Sequence, residues 1–242
     1  MSRLFAFALA LTMIAPSSVA AQAPAGSGAP RPPQGVHYVY LIRHGQYDRD
    51  TTVTDDRLGN GLDALGHEQA KKLGARLAGL PIRFHALVSS DFARARETAA
   101  ELAAILHMSV AIDSLLHECT PTSDNARIMR DETPESIALC DEHRAAAWAR
   151  YVVPTPEADT HDLLVCHGNV IRWMVTKAVG GDVRHWASMD IANASLTILA
   201  VRADGSVRLV MYSDVGHLPL DLQTWTGRGA GWGSAAAAKA MR

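Results

Sequence analysis

Strand-like and helix-like segments take turns along this chain from Val36 onward, and that alternation limits the fold more than any other feature. Residues 36–42 (VHYVYLI) are an apolar, β-prone run that ends at Arg43-His44-Gly45, so they read as a strand feeding a loop. Residues 64–80 place Ala70, Leu73, Leu77 and Leu80 on one helical face, with Asp63 positioned to cap the helix and Pro81 to end it. A short strand at 86–88 leads to Ser89-Ser90 and a helix over 91–106, with Ser90 as its expected cap. A strand near 110–112 precedes Leu115-Leu116-His117-Glu118, and 119–131 reads as loop. Thr133-Pro134 opens a further helix to about Tyr151, since proline is favoured at the first helical position. A strand at 163–166 ends at His167-Gly168, and a helix over 170–179 stops at Gly180-Gly181. Residues 195–201 and 207–212 alternate as strands around the turn Ala203-Asp204-Gly205-Ser206.

This order predicts an α/β fold: a three-layer α/β/α sandwich over a mostly parallel sheet, with a C-terminal antiparallel hairpin. In such sheets ligands bind beyond the carboxyl ends of the strands. Arg43-His44 and His167 each lie just past a strand end, so they are expected to meet in one cleft despite their distance in sequence.

The folded domain is expected over 36–222. Ahead of it, 21–35 is rich in Pro, Gly and small residues and reads as a linker. Residues 1–20 combine Arg3, a short apolar run and small residues at 18–20, the layout of a secretory signal peptide. That implies a periplasmic or secreted protein with no membrane contact after cleavage. Residues 223–242 read as a flexible tail. The net charge of -2 gives no reason to expect a nucleic-acid partner. Cys119, Cys140 and Cys166 show no CxxC spacing; one pair could close, and core thiols are the expectation. Trp186 and Trp225 are expected to fill core or interface.

Phosphoryl transfer through a side chain needs a nucleophile, a cage of donors for the phosphoryl oxygens and an acid for the leaving group. His44 suits the nucleophile, because a neutral imidazole attacks near pH 7 without a metal. Its other ring nitrogen must be held as N–H by a neighbour such as a backbone carbonyl, and Gly45 would let the chain approach the phosphate. Arg43 and Arg94 suit the cage, since guanidinium groups match phosphate oxygens, with Arg96 competing for the second place. His167 could donate as an imidazolium. Glu118 is the first candidate acid, because burial after an apolar pair would raise its pKa, with Asp91, Asp48 and Asp50 as weaker ones.

The ordered segments Leu41-Ile42-Arg43-His44-Gly45-Gln46, Ser90 through Ala99, Leu116-His117-Glu118 and Cys166 through Arg172 resemble the histidine phosphatase superfamily, also called phosphoglycerate-mutase-like. Residues 62–70 resemble its second helix start, and the likeness covers roughly 36–219. Within the family, the chain is similar to the mitochondrial Ser/Thr protein phosphatase subgroup. The resemblance implies a phosphohistidine on His44, a pocket of Arg43, Arg94 and His167, and Glu118 as proton donor. It selects Arg94 over Arg96. It puts Gln46, Gly168 and Asn169 on the substrate and Arg172 in a bracing role. No cofactor or metal is implied, and the substrate would be a phosphorylated small molecule or a phosphoprotein.

The expected activity is therefore metal-independent hydrolysis of phosphate monoesters. Mutase-type transfer and a catalytically silent phosphate-binding module are the alternatives. A zinc enzyme finds no support, because His67-Glu68 lacks a histidine at position 71. Oligomeric state is not legible in the sequence.

Overall fold

A computed structural model of the chain describes residues 35–155 and 157–225. The expected signal peptide, nearly all of the linker and most of the tail lie outside the described residues. Among the described residues, six strands form one sheet: β1 (His37–Arg43), β2 (Ala86–Ser89), β3 (Ala111–Ile112), β4 (Thr160–Cys166), β5 (Leu196–Val201) and β6 (Val207–Asp214). Five helices accompany them: α1 (Ala64–Ala78), α2 (Ala93–Leu106), α3 (Ala126–Met129), α4 (Pro134–Tyr151) and α5 (Gly168–Ala178). The strand order is β3-β2-β4-β1-β5-β6. The strands β3, β2, β4 and β1 run parallel, and β5 pairs antiparallel with both β1 and β6.

Strand β1 is central and is buried on both faces, which explains its unbroken apolar sequence. Val39 and Leu41 point into one core with Ala147 of α4 and Ile171 and Met174 of α5. Tyr40 and Ile42 point into the other with Leu73 and Leu77 of α1 and Leu102 of α2. Helices therefore cover both faces, and the three layers follow. Leu41 is fully buried, so Leu41→Ala is expected to cost about 2–5 kcal/mol from lost transfer energy and the cavity left behind. A denaturant titration checks this, and a loss under about 1 kcal/mol would contradict a closed core at this point.

Local signals place most helix ends. The Asp63 side chain accepts from the Gly66 N–H at 2.7 Å and caps α1. Thr133 and Ser136 cap α4 reciprocally, with Pro134 at its first position. Several boundaries shift by a few residues and α3 lies within the expected loop over 119–131; two differences have a clear cause. Helix α2 starts at Ala93, and Ser90 does not cap it in the expected way; its hydroxyl is shared between the Phe92 N–H and His167. Strand β4 starts three residues early, because the polar Thr160, His161 and Asp162 complete the ladder with His37, Tyr38 and Val39. The polar side chains hide a strand that backbone pairing makes plain.

Two further expectations are corrected. Cys119 and Cys140 form a disulfide with 5.8 Å between their Cα atoms, and Cys166 alone is a buried free thiol. Sequence spacing could not show that the chain after Glu118 lies against α4. The folded body also continues past Leu222: Thr224 is buried, and Trp225 bridges to Ala192. Trp186 fills the core, as expected, and donates its indole N–H to the Thr122 carbonyl at 3.1 Å.

Candidate active site

The adjacent parallel strands β1 and β4 end in register, with Arg43 opposite Cys166. The next residue on each chain is a histidine, and the His44 N–H donates to the Cys166 carbonyl at 3.0 Å. Two residues far apart in sequence thus leave the sheet side by side, with ring centroids 5.1 Å apart.

His44 is 2% exposed. Its Nδ1 lies 2.8 Å from the Gly45 carbonyl, which can only accept, so Nδ1 carries the hydrogen and Nε2 keeps its lone pair. That lone pair faces Arg94, whose Nε–H donates to it at 3.3 Å. Burial holds the His44 pKa well below the ordinary histidine value, and the charges of Arg43 and Arg94 push the same way. The ring is neutral at physiological pH.

Gly45 does something other than admit a phosphate. A Cβ there would sit 2.5 Å from the Gly66 carbonyl oxygen, and a Cβ on Gly66 would sit 2.0 Å from that of Gln46. The loop after β1 and the start of α1 cross backbone to backbone, and only a pair of glycines permits it.

Arg94 comes from the first turn of α2. Its guanidinium lies over the Tyr47 ring at 4.8 Å and the Phe92 ring at 5.0 Å, and Nη1 meets Asp56 at 3.1 Å. Arg96, two residues on, faces solvent and donates to the Arg57 carbonyl. Arg43 is buried, and burial lowers its pKa to about 10, with Glu118 opposing, so it stays charged. One of its Nη atoms donates to the Ile191 carbonyl.

His167 is fully buried at the head of α5, with Nε2 at 2.8 Å from the Ser90 hydroxyl. Burial lowers its pKa well below the usual value, helped by His44 and Arg94. It is therefore a neutral ring at physiological pH, where the sequence suggested an imidazolium. Glu118 follows a 3₁₀ turn, Ser114–Leu116, and one carboxylate oxygen accepts from the Asn169 N–H at 3.3 Å. Burial pushes its pKa up, against the pull of Arg172 and Arg144.

A cleft of about 250 Å³ is lined by Arg43, His44, Arg94, Glu118, Gly168 and Asn169 among others. Gln46 does not line it: its amide turns back to the Tyr47 carbonyl at 3.1 Å. Tyr47, Arg172, Asp190 and Ile191 do, and of these only Arg172 was singled out in the sequence. It braces the wall, donating to Gly168 and Met189 carbonyls and to the Asn169 side chain. Nothing in the sequence around Asp190 signals its position, because it depends on where the chain returns to the sheet. Asp50 is exposed and bonded to Thr52, and Asp91 lies beside His117.

Both buried rings make a prediction about stability. Unfolded histidines protonate near pH 6.5, whereas the folded rings resist it. Stability is then complete above that pH and falls on acidification, by about 1.4 kcal/mol per pH unit for each ring. Urea titrations at pH 7.5 and 5.5 check this, and an unchanged midpoint would show that the rings are not held neutral.

Several known proteins are similar to this chain in sequence or fold. The mitochondrial serine/threonine-protein phosphatase PGAM5 of Xenopus tropicalis is 32% identical over 192 residues, covering 77% of this chain and 68% of the relative. Phosphoglycerate mutase from Plasmodium falciparum shares the fold at 23% identity and a TM-score of 0.54, over 76% of this chain and 95% of that one. A mycobacterial glucosyl-3-phosphoglycerate phosphatase does so at 22% identity and 0.54, over 74% and 99%. The mitochondrial relatives overturn the signal peptide and the periplasmic or secreted address expected from residues 1–20. One positive residue before a short apolar run is a compositional sign alone, and it lies outside the described residues. Residues 39–124 and 122–214 match the family model of branch 1 of the histidine phosphatases, the stretch that holds both strand-end histidines, Arg94 and Glu118, and the chain belongs to the histidine phosphatase superfamily.

Proposed function

We propose that this chain hydrolyses phosphate monoesters through a phosphohistidine formed on His44. The observation that carries the proposal is the state of that ring: neutral, with Nδ1 held by the Gly45 carbonyl and Nε2 aimed at a guanidinium. Nε2 attacks phosphorus, a P–N bond forms and the P–O bond to the leaving group breaks. Arg43, Arg94 and an N–H of His167 stabilise the charge on the phosphoryl oxygens. Glu118, whose pKa burial raises, gives a proton to the leaving oxygen. Water then attacks phosphorus, Glu118 takes its proton back, and the P–N bond breaks to release phosphate. Gly168, the first residue of α5, offers its backbone N–H to the phosphate. Every step uses groups of this chain, and no metal enters.

The relatives named as serine/threonine-protein phosphatases favour a phosphoprotein as substrate. Hydrolysis is favoured over mutase transfer by the relatives named as phosphatases and by the short segment over 119–131, which the Cys119–Cys140 disulfide ties to α4. Rapid quenching with an aryl phosphate, chelator present, tests the intermediate. Phosphate bound to protein that is stable in base and released by acid is the expected result. Turnover without such a species would refute the covalent route.

A further inference from the structure

A chain of buried side chains runs from α1 to the carbonyl that holds the nucleophilic ring, and no step assigned above uses it. Gln69, Asn193 and Thr224 are at most 3% exposed. Gln69 Oε1 accepts from the Gln46 N–H at 2.8 Å, and Gln69 Nε2 donates to the Leu222 carbonyl at 2.7 Å and to Thr224 Oγ1 at 3.0 Å. Thr224 Oγ1 donates to Asn193 Oδ1 at 3.2 Å. Asn193 Nδ2 donates to the carbonyls of His44 and Gly45, each at 3.4 Å. The backbone adds two bonds: Asn193 N–H to the Thr224 carbonyl at 2.9 Å, and Ala194 N–H to the His44 carbonyl at 3.1 Å.

The direction of every bond in this chain is forced. The Gln46 N–H can only donate, so Gln69 must present its oxygen there and its amide nitrogen to Leu222 and Thr224. With Thr224 Oγ1 accepting from Gln69, its one hydrogen goes to Asn193. That fixes Asn193 with its oxygen toward Thr224 and its nitrogen toward two carbonyls, which can only accept. The Gly45 carbonyl is held in place as an acceptor, and the one ring atom facing it, His44 Nδ1, must carry the hydrogen.

We infer that Gln69, Thr224 and Asn193 form a positioning relay that sets the tautomer and aim of His44, and that the segment over 222–224 belongs to the active-site scaffold. This rests on the reading of His44 as nucleophile. Thr224 lies ten residues beyond the matched stretch, which ends at 214, so a domain boundary drawn there would cut the relay. A fully satisfied buried polar network holds a unique geometry, whereas a broken one leaves polar atoms stranded.

The test compares Thr224→Val, which keeps the shape and removes the hydroxyl, with Thr224→Ser, which keeps it. Three readouts are taken: kcat and KM on an aryl phosphate, the acid limb of the pH–kcat profile, and the His44 tautomer by ¹⁵N NMR in the full-length protein. Thr224→Val is expected to lower kcat about tenfold, or about 1.4 kcal/mol, with KM within about twofold. Its acid limb should move up toward the ordinary histidine range, since a looser ring admits water. Thr224→Ser should restore both. Asn193→Asp, which sets an acceptor against two carbonyls, is the second variant and should be worse; it serves if Thr224→Val does not fold. Equal losses in Thr224→Val and Thr224→Ser, or unchanged kcat and acid limb in Thr224→Val and Asn193→Asp, would overturn the relay. A wild type without turnover would instead overturn the phosphatase reading. The NMR signal would then decide the relay alone: an Nδ1–H tautomer in wild type that is lost in Thr224→Val supports it, and an unchanged tautomer overturns it.

Discussion

His44→Ala is expected to reduce hydrolysis of any phosphate ester to background, a loss of at least about 10⁴-fold or about 5.4 kcal/mol. The size follows from the role. A cage donor can be lost while its neighbours still hold the phosphoryl oxygens, but without Nε2 no P–N bond forms and the two-step route closes. Water could not take the vacated place well, because Arg43 and Arg94 would face it without a base to activate it. His44 sits in a buried pocket beside Gly45 and Thr98, whose hydroxyl accepts from the Gly45 N–H at 3.0 Å, so the alanine variant should remain folded. Melting curves on both proteins would establish that. Turnover by folded His44→Ala above one part in a hundred would end the phosphohistidine mechanism.

Glu118→Gln has the second largest expected effect, and its signature is selective. Loss of the proton donor should lower kcat/KM on an alkyl ester such as phosphoserine by roughly 10²–10⁴-fold. An aryl ester needs little protonation of its leaving oxygen, so kcat/KM there should barely change. Phosphoenzyme should accumulate with the aryl ester, because the same carboxylate is missing when water attacks. The pH dependence has a definite sign. Glu118 acts while protonated, and burial raises its pKa. In wild type, kcat/KM on the alkyl ester should therefore fall as pH rises through that value, and the limb should be absent with the aryl ester. His44 acts while neutral and its pKa is depressed, so the acid limb should lie well below 6.5. Equal losses on both ester classes would remove Glu118 from the acid role.

The physical basis of what could be read differs from residue to residue. Arg43 and His44 were legible because a buried parallel strand is an unbroken apolar run, and a charged pair after it marks the strand's end. Asp63 and Thr133-Pro134 were legible because a cap is a contact between neighbours in sequence. Arg94 over Arg96 needed the resemblance, since both lie on one helix; the structure turns one into the cleft and the other to solvent. Gln46 was placed on the substrate by the resemblance, yet its side chain folds back while its N–H meets Gln69. Ser90 was read as a cap from its position before a helix, and its hydroxyl also meets His167, a long-range contact.

The sequence by itself determined the alternation of strands and helices, hence a layered α/β fold, and the strand ends where histidine and arginine would gather. These properties are local: hydrophobic period, caps and turns act over a few residues. Tertiary structure alone decided which groups share the cleft, that Cys119 closes on Cys140, and that Gln69, Asn193 and Thr224 reach one carbonyl. Those facts depend on the register of β1 against β4 and on the path by which the last residues return to the sheet. Pairings between distant segments leave no periodic trace in the chain, because they are set by how whole elements pack and not by the neighbours of any one residue.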